Sequence, residues 1–149
     1  MKLKFCLFLL MIVSSPLCAQ EEAASVSIGE PLSFIGMRLS DLFERFGMPA
    51  LVFAVRGNEA WQDDIVFRYA AGDFYIYRDR VWQVRLSSAM GISAGDPRQA
   101  VVLVMGDRLI DNGTYMLMEI PSRNWPLMLR VNINNTGRVS EIFIYRPDY

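Results

Sequence analysis

Two pairs of glycines set the framework of this chain. Gly36 and Gly47 bracket GMRLSDLFERFG, Gly95 and Gly106 bracket GDPRQAVVLVMG, and the two blocks are offset by 59 residues. A glycine spacing of eleven suits a short helix closed by a residue free to take a positive φ. In the first block Leu39, Leu42, Phe43 and Phe46 fall at i, i+3, i+4 and i+7, which is one apolar helical stripe, and Gly47 with Pro49 ends it. In the second, Asp96 is the expected N-cap, Pro97 the first helical residue and Gly106 the stop.

Short alternating segments follow each block. Strands are expected at 51–56, 64–70, 73–78 and 81–86 in the first half, and at 115–120, 127–133 and 139–145 in the second. Ala71-Gly72 and Arg78-Asp79-Arg80 supply turns, and Asn134-Asn135-Thr136-Gly137 reads as a hairpin loop. Arg80-Val81 leading to Val84 and Leu86 matches Arg138-Val139 leading to Ile142 and Ile144 at an offset of 58. The expectation is an α+β fold built as two tandem helix-plus-antiparallel-meander repeats, about 34–88 and 89–149, with the helices packed on one face of the sheet. They form one domain, 34–149, behind a flexible lead-in at 20–33.

The start of the chain reads as an address. Lys2 and Lys4 precede the apolar run Phe5 to Val13, which Ser14, Ser15 and Pro16 break before Ala19. This is the grammar of a secretory signal peptide over 1–19, and nine apolar residues fall short of the ~20 that span a bilayer. Leu17 stands where a lipoprotein signal needs a small residue, which argues against lipid anchoring at Cys18. Periplasmic or secreted residence is therefore expected, with no transmembrane span and with peripheral membrane association left open. Beyond residue 19 there are 13 arginines, no lysine and no cysteine, and 16 acids, a net charge of −3. That balance argues against nucleic acid as a partner. Without histidine, Ser-His-Asp and Cys-His catalysis are excluded. Gly91-Ile92-Ser93-Ala94-Gly95 matches G-x-S-x-G in form, but the nucleophile elbow needs that missing histidine. No cofactor is called for. Asp63-Asp64 falls far short of a calcium ligand set, so no metal is expected.

Alternation sorts the strands onto two faces. Leu127, Leu129, Val131, Ile133, Ile142, Ile144, Val84, Leu86 and Trp82 belong against the helices. The opposite set is Arg68, Tyr75, Tyr77, Gln83, Arg85, Met128, Arg130, Asn132, Glu141, Phe143 and Tyr145. From it Arg68, Tyr75, Tyr77, Arg85, Arg130, Phe143 and Tyr145 are the candidate partner-binding residues, joined by Trp61 from the polar loop 56–64, since Tyr, Trp and Arg dominate binding hot spots. Two readings stand side by side: a docking surface, or a solvated face on which arginine stems cover rings. Trp61 likewise either anchors its loop on the core or meets a partner. Exposed sheet edges admit a homodimer through an edge strand.

The pattern Ile35-Gly36-x-x-Leu39-x-x-Leu42-x-x-x-Phe46-Gly47-x-Pro49 resembles the small bacterial envelope family SmpA/OmlA (BamE-like), and the doubled form resembles the tandem repeat of beta-lactamase inhibitory proteins, whose sheet face grips an enzyme. The resemblance implies an envelope protein that binds another protein and catalyses nothing. The expected function is a non-catalytic envelope protein-binding module, with envelope assembly as the role it would serve. The alternatives are an inhibitor or sensor of an envelope hydrolase and a small-ligand-binding domain.

Overall fold

Alternating aliphatic and polar residues, punctuated by turns, make sheet the cheapest way for this chain to bury its apolar half. A computed structural model describes residues 30–56 and 63–149. Ten strands run β1 Leu51–Val55, β2 Asp64–Tyr69, β3 Gly72–Tyr77, β4 Arg80–Leu86, β5 Ser88–Ala89, β6 Ile92–Ser93, β7 Ile110–Asp111, β8 Tyr115–Ile120, β9 Leu127–Ile133 and β10 Val139–Tyr145. Eight of them form one antiparallel sheet in the order β1-β2-β3-β4-β10-β9-β8-β7, and β5 and β6 make a separate small hairpin. The helices are short: α1 Glu30–Phe34, α2 Leu39–Phe46 and α3 Arg98–Met105, the last running into a 3-10 turn at Gly106–Arg108.

The expected pair of helix-plus-meander repeats with helices packed on one face is overturned. Strand makes up 47% of the described residues and helix 20%. No boundary separates two units, because β4 and β10 hydrogen-bond through four register pairs, from Ile142 with Leu86 to Tyr145 with Gln83. Glycine spacing and turn chemistry report local structure only. The β4–β10 pairing joins residues nearly sixty positions apart, and it makes the dominant element a single large sheet.

One face of that sheet carries the core. Phe74, Val84, Met116, Met118, Leu129, Val131, Ile142 and Ile144 are all but inaccessible, and Phe34, Leu42, Val101 and Met105 of the helices belong to the same cluster. Each such fully buried side chain contributes about 1.5–3 kcal/mol. Phe34, Phe46, Tyr69 and Phe74 pack edge-on or tilted, with centroids 5.2–5.6 Å apart.

Arginine and glycine anchor the helices by one device. Gly36, at φ 86°, donates its N–H to the Val81 carbonyl and accepts Arg80 Nη1 at 2.7 Å. Gly95, at φ 91°, donates to the Val139 carbonyl and accepts Arg138 Nη1 at 2.8 Å. At Gly36 the close packing also excludes a side chain, since a Cβ there would lie 2.6 Å from the Trp125 indole.

Three local expectations need correcting. Residues 30–33 of the supposed lead-in belong to α1, where Pro31 in the first turn fits the helix and is buried. Asp96 does not cap α3. Its Oδ2 accepts the Ser93 N–H at 2.7 Å, and Pro97, in extended geometry, takes the cap position. Trp82 does not join the core. Tyr75 pairs with Gln83 but Ile76 pairs with Val81, so Trp82 is the extra residue of a β-bulge and turns to the opposite face. Residues 1–19 and 20–29, where the signal peptide, Cys18 and most of the lead-in are expected, and Trp61 with most of its loop lie outside the described residues.

Candidate functional site

The second face of the sheet is read directly from the register. Leu51, Arg68, Asp73, Arg85, Phe143, Arg130, Leu117 and Ile110 are successive Cα partners across all eight strands. Side chains directly opposite in neighbouring strands interact, and here opposite charges meet. Arg68 clasps Asp73 in a bidentate pair, Nε to Oδ1 at 2.8 Å and Nη2 to Oδ2 at 2.9 Å. Arg85 Nη2 donates to the same Oδ2, and Arg85 Nη1 donates to Glu141 Oε1 at 2.9 Å. Glu141 Oε2 accepts Asn132 Nδ2 at 3.0 Å, and Asn132 Oδ1 accepts Arg130 Nε at 2.8 Å. Rings finish both ends: the Arg68 guanidinium lies 5.0 Å from the Phe53 ring centre, and that of Arg130 lies 4.4 Å from Tyr115. An unbroken ladder of charge-assisted contacts thus runs from β1 to β8.

Asp73 is its hinge. It is the one buried charged residue of the described core, 4% exposed. The Arg68 hydrogen bonds, seconded by Arg85, hold its carboxyl below the usual carboxylate range although burial pushes the other way. Both guanidiniums are held in their charged form more firmly than usual, Arg68 chiefly by its bond to Asp73 and Arg85 by its bonds to Glu141 and Asp73 against the cost of burial. Beside the ladder sits a small aromatic cluster. Tyr75 approaches Trp82 at 6.5 Å and Phe143 at 6.4 Å. Trp82 Nε1 donates to Asp64 Oδ1 at 2.9 Å, and burial raises the Asp64 carboxyl pKa despite that bond.

The predicted residues divide accordingly. Arg68, Arg85, Arg130, Phe143 and Tyr145 share the face, and all but Tyr145 have a named contact along or beside the ladder. Tyr75 shares it but is 9% exposed, so it supports the face from beneath, and burial raises its phenol pKa. Tyr77 stands at the end of β3, its ring 5.5 Å from Tyr149. Asp73 was missed as a site residue, though its parity with Tyr75 and Tyr77 on one strand is a signal that finds it. The Trp82–Asp64 bond has no such signal, because it depends on the bulge.

A shallow groove of about 280 Å³ lies along the ladder, lined by Gly72, Asp73, Arg85, Leu86, Ser87, Ala94, Ser140 and Glu141. Its only guanidinium is already engaged by two carboxylates. Its volume lies just below the range of small-molecule sites, and five of its eight lining residues are polar or charged. Among the described residues no cluster of three or more acids, histidines or cysteines stands ready to hold a metal ion, and no helix is long and apolar enough to cross a membrane.

No family model and no curated protein matches the chain. A solved structure of an extracellular protein containing an SCP domain, from Bacillus anthracis str. Ames, is similar to it with a TM-score of 0.52 and 13% identity, covering 92% of this chain and 51% of that one. The chain therefore spans about half the length of the structure it matches, and at that identity the likeness speaks to the fold alone. It agrees with a large antiparallel sheet as the fold.

Proposed function

We propose that this protein is a non-catalytic binding module of the bacterial envelope, and that another envelope protein docks on the laddered face of its sheet. The observation that carries the reading is the ladder itself. Arg68, Arg85 and Arg130 are held in position by Asp73, Glu141 and Asn132 before any partner arrives. Side chains ordered in advance lose little entropy on docking. Half-buried Phe143, Tyr145 and Tyr77 add ring area between and beyond them, the residue types that concentrate binding energy. The leader-like start of the chain supports an exported location.

Site-specific photo-cross-linking in the native envelope tests this. A photoreactive residue at position 145 should trap one defined envelope protein, and the adduct should vanish when Arg130→Ala and Tyr77→Ala are combined in a protein with an unchanged circular dichroism spectrum. The same probe at position 103, on α3, should trap none. Adducts from position 103 with none from 145 would sink the assignment of the face. A hydrolase as the trapped protein would make the docking inhibitory or sensory.

A further inference from the structure

The two edges of the sheet are built differently. The β7 edge is two residues long, and its Asp111 carboxylate is taken up by Arg98 and by the Gly113 N–H at 2.9 Å. The β1 edge is LVFAV, five uncharged residues without a bulge or proline. Leu51 is 48% exposed, Val52 49% and Val55 38%, and Ile65 beside them on β2 is 53% exposed. Native sheets blunt such edges with charge, proline or brevity, because an open edge offers unpaired N–H and C=O groups to another strand. Here only β7 is blunted.

We infer that β1 is a self-association edge, pairing antiparallel with β1 of a second copy about a two-fold axis at Phe53. The strand is its own complement. In that register Leu51 faces Val55, Val52 faces Ala54, Phe53 faces Phe53 and Arg56 faces Ala50. Within Leu51–Val55 apolar meets apolar at every position, and no like charges meet, although the whole chain is net negative. A two-fold axis perpendicular to the sheet keeps the faces aligned, so the dimer carries two ladders side by side. The inference stands apart from the docking reading, since it rests on the backbone edge of β1 and not on the arginines of the face.

Sedimentation of the full-length protein, as the cell processes it, from micromolar to submillimolar concentration is the test. The wild type should show a concentration-dependent dimer. V52K/A54K sets like charges opposite each other in both symmetry-related pairs and should weaken association about 10- to 100-fold with the fold unchanged. V52K/A54E sets opposite charges across the same pairs and should restore it. An independent variant guards against misfolding: with Cys6 and Cys18 replaced by serine, oxidised Phe53→Cys should link two copies, and Leu103→Cys should not. A monomeric wild type, a V52K/A54K protein as dimeric as the wild type, or equal linking from positions 53 and 103 would each overturn the proposal.

Discussion

Gly72→Ala tests the packing that sets β3 against β4 and so positions Asp73. Gly72 has φ 146°, and a Cβ built there would sit 2.5 Å from the Arg85 carbonyl oxygen and 2.9 Å from Leu86 Cδ2. Two costs follow. Holding alanine in a backbone region that side chains rarely adopt costs about 1–3 kcal/mol. The clash is with backbone in mid-sheet, which no rotamer change relieves, and overpacking of this kind adds about 1–3 kcal/mol. The sum, about 2–6 kcal/mol, should lower Tm by roughly 6–24 °C in a domain of this size. Gly47→Ala is the matched control. Gly47 also has a positive φ, 71°, but a Cβ there meets nothing within 4 Å. With ψ at −148° it should lose only the conformational term, about 1–3 kcal/mol. Thermal unfolding followed by far-ultraviolet circular dichroism, with urea titration to check that m is unchanged, reads both. Equal losses in the two variants would refute the steric argument, and with it the claim that Arg85 backbone and Asp73 are held in close register by a residue without a side chain.

The charges of the face give two further expectations. Asp73→Asn keeps the shape but turns an amide N–H₂ toward guanidinium donors, so Tm should fall at pH 7. Because the folded carboxyl pKa is lowered, by Arg68 first and Arg85 after it, the stabilisation is full above the unfolded value of about 3.9 and is lost as pH falls through the folded one. The Tm gap between wild type and variant should therefore close on acidification, and a gap independent of pH would contradict the assignment. Asp64→Asn should behave oppositely: burial raises the folded pKa, so the ionised carboxylate costs stability at neutral pH, while an asparagine Oδ1 can still accept Trp82 Nε1. Tm at pH 7 should stay or rise, and the wild type should gain on the variant as pH drops through the raised pKa; a clear fall at pH 7 counts against it.

Much of this protein is written in short-range pattern. The stripe Leu39, Leu42, Phe43, Phe46 and the stop at Gly47 locate α2, because helix contacts close within four residues. Period-two alternation locates the long strands and sorts Arg68, Arg85, Arg130 and Phe143 onto one face, since successive side chains of a strand must point opposite ways. Asn134 at the β9–β10 loop accepts hydrogen bonds from Thr136 and Arg138 as its turn chemistry implies. What tertiary structure alone decided is non-local. The β4–β10 pairing that makes one sheet where two units were expected is a contact between distant residues, invisible to any window. The bulge at Trp82 shifts parity by a single residue, enough to move a tryptophan from the core face to the other and hand Asp64 a donor. Burial of Tyr75, and the setting of Asp73 between two guanidiniums, depend on which strands become neighbours, and that is settled only when the whole sheet closes its register.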